Sequence, residues 1–385
     1  MHICLISNDI FAWKGYSDCG YATRMLGRAL VKQGIEVTAV TPRSRHQPAV
    51  AMLDGMRVVS YAPRDWLAAK RLFKAIGADI YHAQNPSFGA YLAQYVLPQA
   101  IHLLTFHCGR NARDWKTTAQ TPFGQRMACF AERMGRENWI MSEAVCRTNG
   151  RFTSARQLVP TIRQTYRLGH NPEFLPTPIT MAPAIEKAAQ PTVCYVARWE
   201  EQDQTDAFFE LARSRPDVHF IAVGYGKSSK QTVQESQTLP NLETHSLIGA
   251  LESEQLRKIW QKSWILIDTA DRYGLPTTFL EAAAHGCAIL AASNPDEFAA
   301  DFGYFAKRRE LVTGLQALLR NDNWREYGAA GQSYVQQVFA AEQALPRYFQ
   351  VYERLLRWQR RRKPLRRIAT RNVVYRNGGN IWPWM

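Results

Sequence analysis

Residues 273–290 have the sequence Tyr-Gly-Leu-Pro-Thr-Thr-Phe-Leu-Glu-Ala-Ala-Ala-His-Gly-Cys-Ala-Ile-Leu, which combines a Gly/Pro turn with the start of a helix. A strand is predicted to end at Asp268, and a helix to begin near Thr277. The free N–H groups at a helix start, together with the helix dipole, attract a phosphate group. Glu281, about one turn further along, is placed to accept hydrogen bonds from a sugar hydroxyl. The pattern also fits an ordinary buried corner between a strand and a helix, which this local reasoning alone favours.

The secondary structure predicted around this segment alternates between strands and helices. Residues 20–33 place their apolar side chains on one helical face, and Gly34 ends that helix. Repeated alternation predicts parallel sheets covered by helices on both faces. The predicted strands of the first half are His2–Ser7, Ile35–Thr41, Arg57–Ser60, Asp79–His82, Ile101–His107 and Trp139–Ser142.

A proline-rich stretch interrupts the alternation and predicts a linker. Its prolines are Pro172, Pro176, Pro178, Pro183 and Pro191. Beyond it, strands are again predicted at Thr192–Ala197, Val218–Val223, Trp264–Asp268 and Cys287–Ala292. The chain of 385 residues, 46% of them hydrophobic, is long enough for two domains with substantial cores.

The predicted fold class is therefore α/β, with two Rossmann-like domains facing each other across a cleft. Ligands of such open sheets bind at the carboxyl ends of the strands. The predicted boundaries are an N-terminal domain at 1–171, the linker at 172–190, a C-terminal domain at 191–340, and a final helix with a basic tail at 341–385.

Residues 273–290 resemble the E-G-x-P-x-x-x-L-E-A-x-A-x-G-x-P-V signature of retaining GT-B glycosyltransferases. These belong to the large family that includes sucrose synthase and the phosphatidylinositol mannosyltransferases, the glycosyltransferase family 4-like group. Other segments resemble the motifs of this family in the family's order, and the ordered set carries the resemblance over roughly residues 1–300. They are Gly15–Gly34, Asp79–Ala83, Leu104–His107, Trp139–Glu143, Tyr195–Arg198, Val223–Gly226, Leu239–Leu242 and Ile248–Gly249.

The resemblance implies a nucleotide-diphospho-sugar donor that the C-terminal domain mainly holds. It also implies that the N-terminal domain holds the acceptor. Arg198 and the amides near residues 275–278 would neutralise the leaving diphosphate, Glu281 would hold the ribose, and His107 would orient the sugar. The implied catalytic residues are His107, Arg198 and Glu281, and the implied donor-binding residues are Gly20, Gly224, Tyr273, Leu275, Pro276, Thr277, Thr278 and Glu281. Gly20 fits a plain helix-start glycine equally well.

Two positions depart from the family pattern. Tyr273 stands where the family has the first glutamate of its E-x7-E motif, and Asp203 stands where it has a lysine. The missing lysine removes one positive charge from the implied diphosphate clamp. Another residue, such as Lys227 near the Gly224–Gly226 loop, could replace it, or the donor could be an unusual one. Tyr273 could contact the donor sugar or fill the site passively. A degenerate or weakly active enzyme is therefore an open alternative.

No metal and no cofactor is expected apart from the nucleotide-sugar co-substrate. Asp268 and Asp271 are spaced D-x-x-D, and such a pair at a strand end is more often loop polarity than a ligand set for a divalent cation.

The basic residues are concentrated at the C-terminus. The net charge is +15, and no acidic residue follows Glu353. The last 32 residues, 354–385, carry ten Lys or Arg side chains together with tryptophans, which favours an anionic membrane surface as a partner. Residues 64–74 are basic and amphipathic as well, consistent with a second surface contact. A structural tail and a nucleic-acid-binding tail remain as alternatives, with nucleic acid the least favoured.

The predicted location is the cytoplasm, and the tail leaves open a peripheral position on the inner face of the plasma membrane. The N-terminus has the character of a strand rather than of a signal peptide, and no apolar run is long enough to span a bilayer. Seven widely spaced cysteines without a C-x-x-C pair predict free thiols rather than a disulfide framework or a zinc site.

The predicted function is sugar transfer, with retention, from a nucleotide-diphospho-sugar to a glycan or lipid-linked acceptor in cell-surface polysaccharide or glycolipid biosynthesis. Many relatives act on lipid-linked acceptors, which would agree with a membrane-bound tail. The alternative is a non-catalytic nucleotide-sugar-binding or scaffold protein of the same fold, suggested by Tyr273 and Asp203.

Overall fold

The computed structural model describes residues 1–13, 17–44, 46–63, 65–109, 139–182, 186–198, 202–225, 238–247, 252–270 and 274–371. These residues form two mainly parallel sheets, each flanked by helices, so the predicted α/β fold with two Rossmann-like halves is confirmed. We call the part built on the first sheet the first lobe, and the part built on the second sheet the second lobe.

The first lobe contains an eight-stranded sheet with the strand order β3-β4-β2-β1-β5-β6-β7-β8. Its strands are β1 His2–Ile6, β2 Glu36–Pro42, β3 Val50–Leu53, β4 Met56–Tyr61, β5 Ile80–Gln84, β6 Ile101–Phe106, β7 Gly150–Thr153 and β8 Glu173–Phe174. Its helices are α1 Asp18–Lys32, α2 Trp66–Ile76, α3 Phe88–Val96 and α4 Leu158–Tyr166, and residues 139–146 are helical as well.

The central strands of this sheet are buried on both faces, as parallel strands covered by helices must be. All residues of β5 and β6 are buried, and β1 is buried from Ile3 onward. Helix α1 starts behind the N-cap Ser17, whose hydroxyl accepts a hydrogen bond from the N–H of Gly20. Helices α2 and α3 follow the carboxyl ends of β4 and β5, so they begin at the edge of the sheet where ligands bind in such folds.

One edge strand departs from the parallel pattern. Strand β3 pairs antiparallel to β4 through a two-residue turn at Asp54 and Gly55, and both turn residues have a positive φ. An Asp-Gly pair is well suited to such a hairpin turn because both central positions require left-handed backbone. The carboxylate of Asp54 also accepts a 2.6 Å hydrogen bond from Nε of the buried Arg24, which fixes the hairpin against α1.

The second lobe contains a six-stranded, fully parallel sheet with the order β11-β10-β9-β12-β13-β14. Its strands are β9 Thr192–Arg198, β10 His219–Tyr225, β11 Leu242–Leu247, β12 Ile265–Asp268, β13 Ala288–Ala291 and β14 Gly303–Phe305. Its helices are α5 Gln202–Ser214, α6 Glu252–Lys262, α7 Thr277–Ala284, α8 Phe298–Asp301, α9 Leu311–Leu319 and α10 Asn323–Val338. Short 3-10 helices occur at Pro295–Glu297, Arg308–Glu310 and Arg320–Asp322.

The chain passes between the lobes twice, and the two passages lie side by side. The N–H of Ile179 donates to the carbonyl of Phe339 over 2.7 Å, and the N–H of Ala341 donates to the carbonyl of Ile179 over 3.0 Å. After the second passage, helix α11 (Ala341–Arg371) returns to the first lobe. There the hydroxyl of Tyr352 and Nδ1 of His82, a residue of β5, share a buried 2.9 Å hydrogen bond.

The structure replaces one predicted strand by a helix and places a short strand inside the predicted linker. Residues 139–142, predicted as a strand, belong to the helical stretch 139–146, and the next strand of the sheet is β7. Strand β8 lies inside the predicted linker and belongs to the first sheet. The predicted domain boundaries at 171, 190 and 340 stay a prediction.

The described part of the chain can be compared with the predictions on cysteines and on membrane-spanning segments. The six cysteines within it are free thiols, and Cys129 lies outside it. No helix among the described residues is long and apolar enough to cross a bilayer.

Candidate functional site

The carboxyl ends of the second lobe's central strands bring several predicted site residues to one edge of the sheet. Strand pairing places the backbone of Arg198 beside Tyr225 and that of Ala197 beside Gly224. Helix α7 begins behind the turn that follows the neighbouring strand β12. The predicted site residues of the second lobe therefore converge on the edge where open parallel sheets bind ligands. Only the backbone of Arg198 is described.

The N-terminus of α7 faces the first lobe. Pro276 is its N-cap residue and provides no side-chain hydrogen bond to the first turn. Instead, Oδ1 of Asp18, the first residue of α1, accepts hydrogen bonds of 3.2 Å from both the N–H and the hydroxyl of Thr277. A carboxylate from the first lobe thus occupies the position where the helix dipole favours an anion.

A second contact brings the lobes together beside this helix. A Cβ atom on Gly274 would lie 2.2 Å from the carbonyl oxygen of His107, so only glycine permits the turn to approach the end of β6 this closely. His107 and α7 therefore border the same part of the crevice between the lobes.

His107 is buried and positioned by two polar neighbours from the end of β5. Its backbone N–H donates to Oδ1 of Asn85 over 2.7 Å, and its ring Nε2 lies 2.8 Å from Oε1 of Gln84. Burial lowers the pKa of His107 to about 4, although the nearby Asp18 carboxylate acts in the opposite direction. The imidazole is therefore neutral near pH 7 and suited to hydrogen bonding rather than to charge pairing.

Glu281 lies in the middle of α7 and also faces the first lobe. Burial raises the pKa of its carboxyl group, while a hydrogen bond with Tyr21 of α1 and the nearby guanidinium groups of Arg257 and Arg28 lower it. The adjoining cavity has a volume of about 20 Å³, room for about one water molecule. This space is too small for a sugar ring.

Gly20 is packed tightly at the start of α1. Its N–H donates to the Ser17 hydroxyl, and an added Cβ would lie 2.5 Å from Oδ1 of Asp9. These contacts explain a glycine there by helix capping and close packing. Its predicted contact with the donor stays a prediction.

The remaining predicted site residues fall into two groups. Leu275, Thr277 and Thr278 are buried around the start of α7, and Gly224 is buried near the end of β10. Tyr273 and Lys227 lie outside the described residues, as does the side chain of Asp203.

Local sequence patterns did not identify Asp18 and Tyr21 as parts of this crevice. Both lie next to Gly20, at the start of a helix that follows the first strand of the sheet. That position alone predicts proximity to the ligand edge, and it is the signal that could have indicated them.

The polar residues considered for a metal have other roles where they are described. Oδ1 of Asp268 accepts a 2.8 Å hydrogen bond from the N–H of Ala270, a local turn of the kind that Asp commonly makes. Within the described ranges, no three His, Cys, Asp or Glu side chains cluster as a metal site requires. Asp271 lies outside those ranges.

Family models match both halves of the chain. The model for glycosyl transferases group 1 matches residues 180–327, and the model for glycosyltransferase family 4 matches residues 20–134. Most of the second lobe, including α7, falls in the first match, and α1 from Gly20 onward with the end of β6 falls in the second. No curated protein sequence matches the chain.

Solved structures share the fold of the whole chain at low sequence identity. A sucrose-phosphate synthase from Thermosynechococcus elongatus is 19% identical with a TM-score of 0.70, covering 92% of this chain and 99% of its own. The HepE protein from Anabaena, in complex with UDP-glucose, is 12% identical with a TM-score of 0.65 and the same coverage. The pneumococcal O-GlcNAc transferase GtfA, in complex with UDP and GlcNAc, is 9% identical with a TM-score of 0.64, again with 92% and 99% coverage.

Proposed function

The chain belongs to the GT-B glycosyltransferases of the family 4-like group, which use nucleotide-sugar donors, and from this premise we propose the finer reaction. The enzyme transfers a hexose-type sugar, with retention of its anomeric configuration and without a metal ion, to a glycan or lipid-linked acceptor. The product enters a cell-surface polysaccharide or glycolipid.

The observation that carries this proposal is the orientation of α7. Its N-terminus and Glu281 both face the first lobe, and the N-terminus already holds the carboxylate of Asp18. A site that accepts one anion through backbone N–H and a hydroxyl is chemically equipped for a diphosphate. The nucleotide end of a donor would then lie along α7, with its phosphates at the position that Asp18 occupies.

Charge stabilisation at the leaving diphosphate is the main catalytic contribution in this proposal. The amides of residues 275–278 and the guanidinium group of Arg198 would neutralise the negative charge that develops as the bond to the sugar breaks. Guanidinium matches phosphate oxygens in a bidentate way. Gly224, beside Ala197 at the strand edge, and Gly20 in the facing lobe would let the backbone approach the donor.

Glu281 and His107 would position the two ends of the donor. The Glu281 carboxylate would accept hydrogen bonds from ribose hydroxyls after releasing Tyr21. The neutral His107 ring would hydrogen-bond the transferred sugar. If Nε2 carries the proton and donates to Gln84, then Nδ1 is the acceptor atom of that ring.

The proposed step needs no protein nucleophile. The bond between the anomeric carbon and the diphosphate oxygen breaks, and the acceptor oxygen forms a new bond to that carbon on the same face. The acceptor proton passes to the leaving phosphate oxygen. No side chain is therefore assigned as a general base.

A non-catalytic nucleotide-sugar-binding or scaffold protein is the second candidate. The observation in its favour is Asp203, a carboxylate where related enzymes place a lysine on the diphosphate. Together with Tyr273 in place of the family's first glutamate, this change would leave donor binding dependent on Arg198, the α7 amides and Glu281.

The basic tail supports a peripheral position at an anionic membrane, on the cytoplasmic face. The backbone of α11 continues through Arg371, which carries basic residues beyond the part of the helix that packs on the first lobe. Basic side chains near an anionic bilayer contribute about 1 kcal/mol each. This position would suit a lipid-linked acceptor.

A donor panel tests the reaction directly. The purified full-length chain would be incubated with UDP-, GDP-, ADP- and TDP-sugars, first in thermal-shift measurements and then with glycan and lipid-linked acceptors. We expect one nucleotide class to raise the melting temperature and to yield a product whose anomeric configuration, measured by NMR, equals that of the donor. Inversion would exclude retention, and binding without product across the panel would favour the scaffold.

A further inference from the structure

Large apolar side chains are exposed together on one side of the first lobe. Of the eleven that the described residues expose, five lie on α2, on α3 or at residue 139. Trp66 and Leu67 are each 52% exposed, Tyr95 is 55% exposed and Trp139 is 54% exposed. The fifth is Phe88, the first residue of α3. Single exposed apolar residues are ordinary, whereas a contiguous set marks an interaction surface.

Ring contacts join Tyr91, Tyr95, Trp139 and Lys70 of this region. The ring of Tyr91 stacks on Tyr95 at 6.4 Å between centroids and meets Trp139 edge-on at 5.6 Å. The ammonium group of Lys70 lies 5.7 Å from the centroid of the Tyr95 ring, which joins α3 to α2. We call Trp66, Leu67, Tyr91, Tyr95 and Trp139, with the basic residues of α2, the aromatic–basic surface.

The charges on α2 and α3 are all positive, and two carboxylates lie at the border of the surface. Asp65 caps α2 by accepting a hydrogen bond from the N–H of Ala68, and Glu143, one turn after Trp139, pairs with Arg147. Helix α2 contains Lys70, Arg71 and Lys74 and no acidic residue, and α3 contains no charged residue at all. Between residues 66 and 109 the single acidic residue is Asp79, whose carboxylate accepts a 2.8 Å hydrogen bond from the N–H of His2 at the other end of the sheet. The aromatic–basic surface therefore presents cations beside tryptophan and tyrosine rings.

We propose that the aromatic–basic surface docks on a bilayer that contains anionic lipids. Tryptophan and tyrosine favour the interface between headgroups and acyl chains, and lysine and arginine are attracted to anionic headgroups. A basic amphipathic helix such as α2 lies in the plane of that interface with its apolar side chains inserted. A second copy of the chain is a poorer occupant because the surface would meet itself in a symmetric pair, which brings a surplus of like charges from both α2 helices into one interface.

The position of this surface sets the orientation of the crevice. Trp66 and Phe88 begin α2 and α3 at the carboxyl ends of β4 and β5, the same sheet edge as His107. Docking by these residues would bring the mouth of the crevice towards the bilayer. The proposal concerns lipid binding alone and holds or fails independently of the sugar-transfer reaction.

Vesicle sedimentation of the full-length chain tests the proposal. Vesicles of phosphatidylcholine alone would be compared with vesicles that also contain phosphatidylglycerol, at physiological ionic strength. The aromatic variant carries Trp66→Ser, Tyr95→Ser and Trp139→Ser, and its control carries Phe305→Ser and Tyr327→Ser on the exposed surface of the second lobe. The charge variant carries Lys70→Gln, Arg71→Gln and Lys74→Gln, and its control carries Lys258→Gln, Lys262→Gln and Arg320→Gln. Every variant keeps the basic tail.

We expect the wild-type chain and both controls to sediment with phosphatidylglycerol vesicles. Each surface variant should partition at least about tenfold more weakly, with an unchanged circular dichroism spectrum and melting temperature because the altered side chains are largely exposed. Wild-type-like binding of both surface variants would overturn the proposal, as would a wild-type chain that stays in the supernatant. A change from dimer to monomer in the aromatic variant, measured by light scattering without lipid, would instead assign the surface to a second copy.

Discussion

The two lobes contribute to the crevice in different ways. The part of the second lobe around α7 is local in sequence, since the turn, the N-terminus of α7 and Glu281 all come from residues 274–281, while Arg198 and Gly224 lie on separate strands. The first lobe supplies Asp18, Tyr21 and His107 from two separate segments. Local sequence patterns therefore describe the segment around α7, whereas only tertiary structure brings Asp18, Tyr21 and His107 to it.

The halves also differ in electrostatic role. At the start of α7 the second lobe offers hydrogen-bond donors and, in the proposed site, the cation of Arg198, which suit a diphosphate. The first lobe offers the carboxylate of Asp18 and the neutral imidazole of His107 at this point. The carboxylate of Asp18 accepts hydrogen bonds directly from Thr277 at the start of α7. The comparison predicts that changes in the second lobe reduce catalysis or donor binding, and that changes in the first lobe alter stability and access.

Replacement of Arg198 should have the largest effect. We expect Arg198→Ala to lower kcat by about 10³ because a preorganised cation at the leaving group is lost, and Arg198→Lys to recover only part of the rate. Steady-state kinetics with the donor identified in the panel would measure this. Arg215→Ala, which removes a surface partner of Asp217, is the matched control and should keep full activity. Full activity of Arg198→Ala would show that the guanidinium group of Arg198 does not stabilise the leaving diphosphate.

Acidification should destabilise the fold through its buried neutral histidines. Burial lowers the pKa values of His107 and His285 to about 4 and that of His82 to about 3. Between about pH 6.5 and pH 4 the unfolded chain therefore binds more protons than the folded chain, so the free energy of unfolding falls as the pH falls. Each of these histidines contributes about 3 kcal/mol to this loss.

The variant His107→Gln isolates the contribution of the first lobe's site. Its free energy of unfolding, measured by urea denaturation at several pH values, should depend less on pH than that of the wild-type chain, by about 3 kcal/mol between pH 6.5 and pH 4. An identical pH dependence would show that His107 is not buried as a neutral imidazole.

Replacement of Glu281 should have an intermediate effect. We expect Glu281→Gln to lower kcat/KM for the donor by roughly 10- to 100-fold because hydrogen bonds to a charged carboxylate are worth about 1.5–3 kcal/mol. Most of the change should be in KM, since the ribose does not react. Glu326→Gln on α10 is the control. A normal KM would separate Glu281 from nucleotide binding.

Replacement of Asp18 should have the smallest effect and the opposite sign. We expect Asp18→Asn to bind a nucleoside diphosphate about fivefold more tightly because a carboxylate at a helix N-terminus contributes about 1 kcal/mol and repels phosphate. Isothermal titration calorimetry would measure the affinity. Asp65→Asn is a matched control, since Asp65 caps α2 through a similar hydrogen bond to the N–H of Ala68. Weaker binding by Asp18→Asn would mean that Asp18 supports the donor site instead of competing for it.

Much of the fold was predictable because its signals are local. The period of the apolar residues and the stop at Gly34 predicted α1 closely, and the Gly/Pro turn predicted the start of α7. Residues 139–142 were assigned wrongly because a short apolar run does not distinguish a strand from a helix. In the helix at residues 139–146, the ring of Trp139 packs on that of Tyr91 of α3, which is a tertiary contact that no local pattern encodes. The β3–β4 hairpin was missed although Asp54-Gly55 is a strong local signal.

The candidate site was predictable only in part, for the same physical reason. Thr277 and Glu281 share one helix, so their relative positions follow from its geometry. Asp18 lies 259 positions from Thr277 along the chain, and no local pattern specifies such a contact. The contact between Asp18 and Thr277 forms only where the two lobes meet in the folded chain.

The side-by-side passages at Ile179 and Phe339 restrict how the molecule can open. Two chain segments that are hydrogen-bonded to each other form a hinge between the lobes. We expect rotation of one lobe about the line of these segments to be easier than twisting or sliding of the lobes. Opening would then be mainly one rotation, and the distance between Asp18 and Thr277 would increase with it. A pair of spectroscopic labels placed across that line would register the whole movement as one distance.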